Sequence, residues 1–131
     1  MTMMTRVRWI QDSNQEILFL DLAHSTPEEC LEALDSFSAH VRACGPLKAR
    51  VLVDATEAGY DPSVAVRWKA KLGAHASEVA ATAVYGATGM VRVSIDTFTE
   101  VLRQLGLDPD RSLKIFSNRY EALKWLETPA A

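Results

Sequence analysis

The sequence lacks any apolar run approaching the roughly 20 residues that a membrane-spanning helix needs, so we expect no transmembrane segment. It also lacks an excess of basic residues. Fourteen Lys and Arg stand against 17 Asp and Glu, which gives a formal net charge of -3. Because nucleic-acid binders normally carry a basic stripe, this charge balance argues against a nucleic-acid partner.

Cysteine is scarce, and no signal peptide is evident. Cys30 and Cys44 are the two cysteines, and their spacing is not that of a metal site. We therefore expect free thiols in a reducing compartment. The segment Met1–Arg6 is not followed by the apolar core and cleavage site of a secretory signal, so secretion is not expected. Together these features predict a cytoplasmic protein.

The composition is that of one globular domain. The chain has 131 residues, 48% of them hydrophobic and 24% charged, which is enough to bury one core without disulfides. We find no internal repeat, low-complexity tract or linker, so residues 1–131 are expected to form a single domain.

Apolar periodicity and turn signals predict nine elements in the order β-β-α-β-α-β-α-β-α. The predicted strands are Val7–Trp9, Ile17–Leu20, Val51–Val53, Val79–Tyr85 and Leu113–Phe116. The predicted helices are one after Thr26-Pro27, one over Pro62–Leu72 capped by Gly73, one that follows the connection Gly86–Gly89 and ends at Gly106, and one after Asn118 that Thr128-Pro129 breaks. An opening hairpin followed by alternating units predicts an α/β fold with a mixed five-stranded sheet and about four helices. Because Val51–Val53 is apolar on both faces, we expect it at the centre of the sheet.

The most informative segment lies at the middle of the chain. The central strand ends in Asp54, a loop with Gly59 follows, and Asp61-Pro62-Ser63 opens the next helix. The first N–H groups of a helix lack partners, and that end is partially positive, so a hydroxyl there is well placed to carry a phosphate. The alternative is an ordinary helix start, with Asp61 as N-cap and Pro62 at the first helical position.

With this order of elements, the segment resembles the STAS family, which comprises bacterial anti-sigma-factor antagonists and the cytoplasmic domains of sulfate transporters. In the antagonists a strand ending in aspartate is followed by an Asp-Ser-Ser-Gly motif whose second serine is phosphorylated. The resemblance places Asp61 on the motif aspartate and Ser63 on the phosphoacceptor, with Pro62 and Val64 in place of the other two residues. It implies a signalling module whose partner is a switch kinase or an anti-sigma factor.

The closing segment, from Ile115-Phe116-Ser117-Asn118 to Leu126, resembles a divergent branch of the same fold. Members of that branch are described as similar to the antagonists or to lipid-carrying proteins. An alternative function is therefore the binding of a lipid or another small apolar molecule between sheet and helices, near a membrane surface. Oligomeric state stays open, with a homodimer as one option.

The second helix carries the candidate partner-binding surface. At about 100° per residue, Val64, Ala65, Trp68 and Leu72 share one face, which we expect in the core. A different arc carries the residues that we interpret as a partner-binding face together with Asp61: Ser63, Val66, Arg67 and Ala70. The alternative is a slightly apolar face that only meets solvent.

Other chemistry has weaker support. Gly86, Thr88 and Gly89 precede a helix and could bind an anion through backbone N–H groups, or they could serve only the packing of a tight turn. His24, His40 and His75 have no metal-ligand spacing with a cysteine or carboxylate. Since no nucleophile–base pair or ligand cluster is evident, we expect no enzymatic activity, no cofactor and no metal.

Overall fold

The computed structural model describes residues 6–12, 15–43, 49–59, 61–74, 79–104 and 113–127, without the side chains of residues 72, 73, 90, 91, 94, 98, 101 and 102. The secondary-structure elements are β1 Val7–Asp12, β2 Gln15–Asp21, α1 Pro27–Ala43, β3 Ala49–Asp54, α2 Pro62–Ala74, β4 Val79–Tyr85, α3 Gly89–Gln104, β5 Leu113–Phe116 and α4 Arg119–Glu127. This order confirms the predicted β-β-α-β-α-β-α-β-α succession.

The five strands form one mixed sheet in the order β1-β2-β3-β4-β5. β1 and β2 pair antiparallel as the predicted hairpin, and the other neighbours pair parallel. β3 occupies the middle, and Val51, Leu52 and Val53 are each at most 1% exposed. The prediction that the doubly apolar strand lies at the centre is therefore confirmed.

The helices lie on the two faces of this sheet in unequal numbers. α1, α2 and α3 lie on one face, as three successive crossovers of the usual right-handed sense predict. Their apolar residues share a core with one side of the strands, including Phe37 of α1, Trp68 of α2 and Ile95 of α3. α4 contributes Ala122 and Leu126 to a second core on the other face, against Phe19 and Leu52.

The start of α1 has a capping box, and the start of α4 has a side-chain N-cap. In α1, the backbone N–H of Glu29 donates to Thr26 Oγ1 and the Glu29 carboxylate accepts from the N–H of Thr26. In α4, the backbone N–H of Glu121 donates to Asn118 Oδ1, and the side-chain Nδ2 of Asn118 donates to Glu121 Oε1. These caps fix where each helix begins, and so fix the loops that precede them.

The predicted end of α2 is wrong by two residues. Gly73 was expected as a C-cap after Leu72, but α2 continues to Ala74. Glycine lowers helix stability by only about 1 kcal/mol and does not end a helix unless the chain turns there. The predictions for Cys44, His75, Gly106 and Thr128-Pro129 fall outside the described residues. No helix in the described part of the chain is both long and apolar enough to cross a bilayer.

Candidate functional site

The candidate site lies at the carboxyl edge of the parallel strands, where β2 and β3 end in the same local structure. Asp21 Oδ1 accepts the N–H of Ala23 at 3.1 Å, and Asp54 Oδ1 accepts the N–H of Thr56 at 3.0 Å. In this turn an aspartate side chain satisfies the backbone two residues later and redirects the chain out of the strand. The two aspartates are paired in register, so the two turns lie side by side.

Each turn leads to a residue with positive φ that is not glycine. His24 has φ of 54° and Glu57 has φ of 47°, a conformation that costs non-glycine residues free energy and is common near functional sites. The His24 N–H donates to the Thr56 carbonyl at 2.9 Å, and His24 Nδ1 lies 3.0 Å from Glu57 Oε2. Both side chains are exposed. This imidazole–carboxylate pair joins the two loops at the rim of the candidate site.

Sequence analysis did not identify the His24–Glu57 pair. A usable signal exists, because each residue stands three positions after an aspartate that ends a strand. What the sequence does not reveal is the parallel register that sets the two turns beside each other.

A buried serine fixes the loop between β3 and α2. Ser25, 7% exposed, donates through Oγ to the Leu22 carbonyl at 2.8 Å and accepts the N–H of Gly59 at 3.2 Å. Its Oγ also lies 2.9 Å from the Cys30 Sγ. Burial raises the pKa of the Cys30 thiol, which outweighs the opposing effect of the Ser25 hydrogen bond. Cys30 is a free cysteine, as the sequence predicts.

Asp61 is the N-cap of α2, and its side chain also binds Ser63. Asp61 Oδ1 accepts the N–H of Val64 at 3.0 Å and the hydroxyl of Ser63 at 2.6 Å. The Ser63 hydroxyl and the Val64 N–H lower the pKa of Asp61 below its ordinary value, because both bind the charged form. The Ser63 side chain is exposed in the first turn of α2. The Ser63 hydroxyl therefore directs its hydrogen bond at the Asp61 carboxylate.

The outer face of α2 is partly apolar. Val66 is 70% exposed, and Ser63 and Ala70 are exposed with it. Of the predicted inner face, Val64 is 4% and Trp68 6% exposed, Ala65 is half-buried, and the Leu72 side chain lies outside the described residues. An aliphatic side chain as exposed as that of Val66 contributes little to the stability of the fold. The hydroxyl at the helix start and this valine thus lie on the solvent side of one helix.

Arg67 has a partner on α1. Its guanidinium lies 2.6 Å from Asp35 Oδ1, and Lys71 Nζ lies 3.4 Å from the same oxygen. Partial desolvation would raise the pKa of Asp35, but Arg67 and Lys71 lower it overall. The pair ties the middle of α2 to α1 at the edge of the outer face. Arg67, which the sequence analysis groups with Ser63 on one arc of α2, is therefore ion-paired with Asp35 of α1.

The turn after β4 is accounted for largely by packing. Gly86 has φ of 78°, and a Cβ there would meet Thr56 Oγ1 at 2.3 Å, so a side chain would collide with the neighbouring turn. Gly89 has φ of 56° with open space around it, and Thr88 is exposed. The first backbone bond of α3 runs from Arg92 N–H to the Thr88 carbonyl at 3.4 Å. Anion binding by Gly86, Thr88 and Gly89 stays a prediction.

The described residues contain no group of three or more His, Cys, Asp or Glu side chains arranged to hold a metal ion. His24 pairs with Glu57, and His40 Nδ1 lies 2.8 Å from the carbonyl oxygen of Ser36.

The mixed five-stranded sheet with α1 to α4 has the SpoIIAA-like fold, which is the STAS-like fold. A solved structure of an uncharacterised DUF3478-family protein from Shewanella loihica PV-4 has this fold and is similar to the chain, with a TM-score of 0.62 and 18% sequence identity. The match covers 92% of this chain and 91% of that one. No model of a known protein family matches the sequence. No relative was found among curated proteins.

Proposed function

We propose that this protein is a non-enzymatic, cytoplasmic signalling module that binds a protein partner through the start and outer face of α2. The observation that carries the proposal is the Asp61–Ser63 hydrogen bond of 2.6 Å at a helix start whose outer face exposes Val66 to 70%. Ser63 and Val66 stand three residues apart, so they are neighbours on the helix surface and a polar group and an exposed apolar side chain share one patch. By fold analogy, the partner is an anti-sigma factor or a switch kinase.

Phosphorylation of Ser63 would regulate this contact through charge. A phosphate on Ser63 gains from the unpaired N–H groups of the helix start but is repelled by the Asp61 carboxylate. Arg67 is paired with Asp35, so recruiting it to the phosphate would cost that ion pair. We therefore expect phosphorylation to change the free energy of folding little. A partner docked there would have to bury two new negative charges, and its binding should weaken.

The alternative of a lipid carrier has less support from the core. Carriers need a cavity of roughly 300 Å³ or more. The cavity bounded by the described side chains, between the sheet and α2, holds about 20 Å³. A whole lipid would need a large rearrangement of that core, whereas a protein docking on α2 needs none.

The proposal is tested by affinity capture with a matched pair of surface variants. Val66→Glu places a charge on the α2 face, and Tyr120→Glu places the same charge on α4, where Tyr120 is 68% exposed. We expect the wild type and Tyr120→Glu to enrich the same protein in quantitative mass spectrometry, and Val66→Glu to lose it. Equal enrichment by Val66→Glu and the wild type would locate the interface elsewhere.

A further inference from the structure

The outer edge of the sheet, at β1, has no strand partner among the residues that the structure describes. β1 pairs with β2 along its other side, in a regular antiparallel register with Val7 opposite Leu20. The strand at the far edge, β5, has four residues and contains Lys114, and both features disfavour pairing with another chain. β1 has six residues and contains no proline, lysine or bulge. It is therefore the better suited of the two edges to accept a further strand.

Every second residue of β1 turns its backbone N–H and C=O away from β2. The Asp21 N–H donates to the Arg6 carbonyl at 2.7 Å, so the main chain of Arg6 faces β2. In an antiparallel pair this orientation alternates along the strand, so the even-numbered residues of β1 face β2 and the odd-numbered residues face outward. The residues with outward N–H and C=O groups are Val7, Trp9 and Gln11.

An exposed aromatic side chain lies at the middle of this edge. Trp9 is 41% exposed, whereas Val7, two residues earlier on the same side of the strand, is 1% exposed. Aromatic residues are enriched at protein interfaces, because they bury a large apolar area with few rotatable bonds. The middle of the edge thus combines outward backbone groups with an apolar side chain that a second strand would cover.

The backbone spacing of this edge is complementary to itself. When two copies pair antiparallel around Trp9, each residue of the range 6–12 lies opposite a residue of the same range in the second copy. Trp9 then lies opposite Trp9, and Val7 lies opposite Gln11. All of these residues have outward backbone groups, so each pair exchanges two N–H···O bonds.

Charge favours this register over the neighbouring one. The pairing centred on Trp9 sets Arg6 opposite Asp12 of the second copy. A pairing centred on Val7 would instead set Arg6 opposite Arg8, and like charges directly opposite each other are destabilising. The register centred on Trp9 therefore places the basic start of one β1 against the acidic end of the other.

We propose that two copies of this chain associate through the outer edge of β1, antiparallel and centred on Trp9, so that their sheets form one continuous sheet. The two Trp9 side chains lie opposite each other on one face of that sheet, where a cross-strand aromatic pair adds to the backbone hydrogen bonds. This interface uses β1, whereas the proposed partner-binding surface is on α2. Each proposal therefore stands or fails without the other.

Two substitutions of Trp9 separate the contribution of the backbone from that of the side chain. Trp9→Thr removes the indole but keeps the outward N–H, and Trp9→Pro removes both. Proline is tolerated on an edge strand where the missing N–H would face solvent, so both variants should keep the fold, which circular dichroism checks. In sedimentation equilibrium, we expect the wild type to be at least half dimeric at about 100 µM. Trp9→Thr should dimerise more weakly, and Trp9→Pro roughly tenfold more weakly again, because the symmetry removes two hydrogen bonds at once.

A measurement on the wild type tests the register without any variant. In a mixture of isotope-labelled and unlabelled protein, isotope-filtered NOEs report contacts between copies. Arg8 and Ile10 of the second copy form a non-hydrogen-bonded pair with Cα atoms about 4.5 Å apart, so their Hα protons should give an intermolecular NOE. A monomer at about 100 µM would refute the proposal. A dimer without the Arg8–Ile10 NOE, or equal dimerisation by folded Trp9→Pro and the wild type, would also refute it.

Discussion

Replacing Gly59 by alanine should destabilise the loop between β3 and α2, which leads to Asp61 and the helix start with Ser63. A Cβ at this position would lie 2.3 Å from the Ser25 carbonyl oxygen, 2.5 Å from the Thr26 carbonyl carbon and 2.7 Å from the Pro27 nitrogen. All three atoms are backbone, so no flexible side chain can move aside. The two loops must separate, which also lengthens the 3.2 Å bond from the Gly59 N–H to Ser25 Oγ.

The expected decrease in the free energy of unfolding follows from the steric clash and the lost hydrogen bond. Forcing an extra carbon into a packed region costs about 1–3 kcal/mol, and losing one hydrogen bond costs about 1 kcal/mol more. Alanine recovers about 0.4–1 kcal/mol by restricting the unfolded chain. We therefore expect Gly59→Ala to lower the free energy of unfolding by about 1–3.5 kcal/mol, which for a domain of this length lowers Tm by roughly 5–15 °C.

Gly89→Ala is the matched control. Gly89 has positive φ, but a Cβ there meets no atom within 4 Å, so only backbone strain of about 1 kcal/mol opposes the gain from the unfolded chain. Thermal and urea unfolding of both variants, followed by circular dichroism, provides the measurement. If Gly59→Ala unfolds within about 0.5 kcal/mol of Gly89→Ala, the close contact between the two loops is not a constraint on the fold.

Three further predictions concern caps and ion pairs. Because the pKa of Asp61 is lowered in the folded state, its contribution to stability is present above about pH 4 and is lost as pH falls through the folded pKa. In curves of Tm against pH, Asp61→Asn should therefore reduce the fall of Tm at acidic pH. An unchanged fall would contradict the hydrogen bonds that Asp61 accepts from Ser63 and Val64. Asp35→Ala and Arg67→Ala should couple by less than about 1 kcal/mol in a double-mutant cycle, because both side chains are roughly half exposed; a much larger coupling would mean that the pair is effectively buried. Asn118→Ala should cost about 1 kcal/mol of unfolding free energy through loss of its cap, and an unchanged urea midpoint would count against that bond.

The fold could be predicted from sequence because its signals are local. The β-branched run at Val51–Val53 has no polar face, and the Thr26–Glu29 capping box lies within four residues. The C-terminal end of α2 was mispredicted because Gly73 alone does not distinguish a helix interior from a cap.

The candidate site could be predicted only in part. An Asp-Pro pair is a local helix-start signal, so Asp61 as N-cap could be read from the sequence, whereas its hydrogen bond from the Ser63 hydroxyl was not predicted. The sequence does not predict the pairing of Arg67 with Asp35, because Asp35 lies 32 residues earlier and the contact depends on how α1 packs on α2. The requirement for Gly59 and the His24–Glu57 contact likewise depend on two loops that the parallel sheet brings together.

The most direct test of the proposed interface is a calorimetric titration of the captured partner, once purified, with wild type, Ser63→Asp and Ser63→Ala. A desolvated charge without a cross-partner cation costs about 2–5 kcal/mol, so Ser63→Asp should bind at least about 30-fold more weakly while its Tm changes little. Ser63→Ala should bind like the wild type. Wild-type affinity in Ser63→Asp would show that the start of α2 is not the interface and that Ser63 does no more than complete a helix cap.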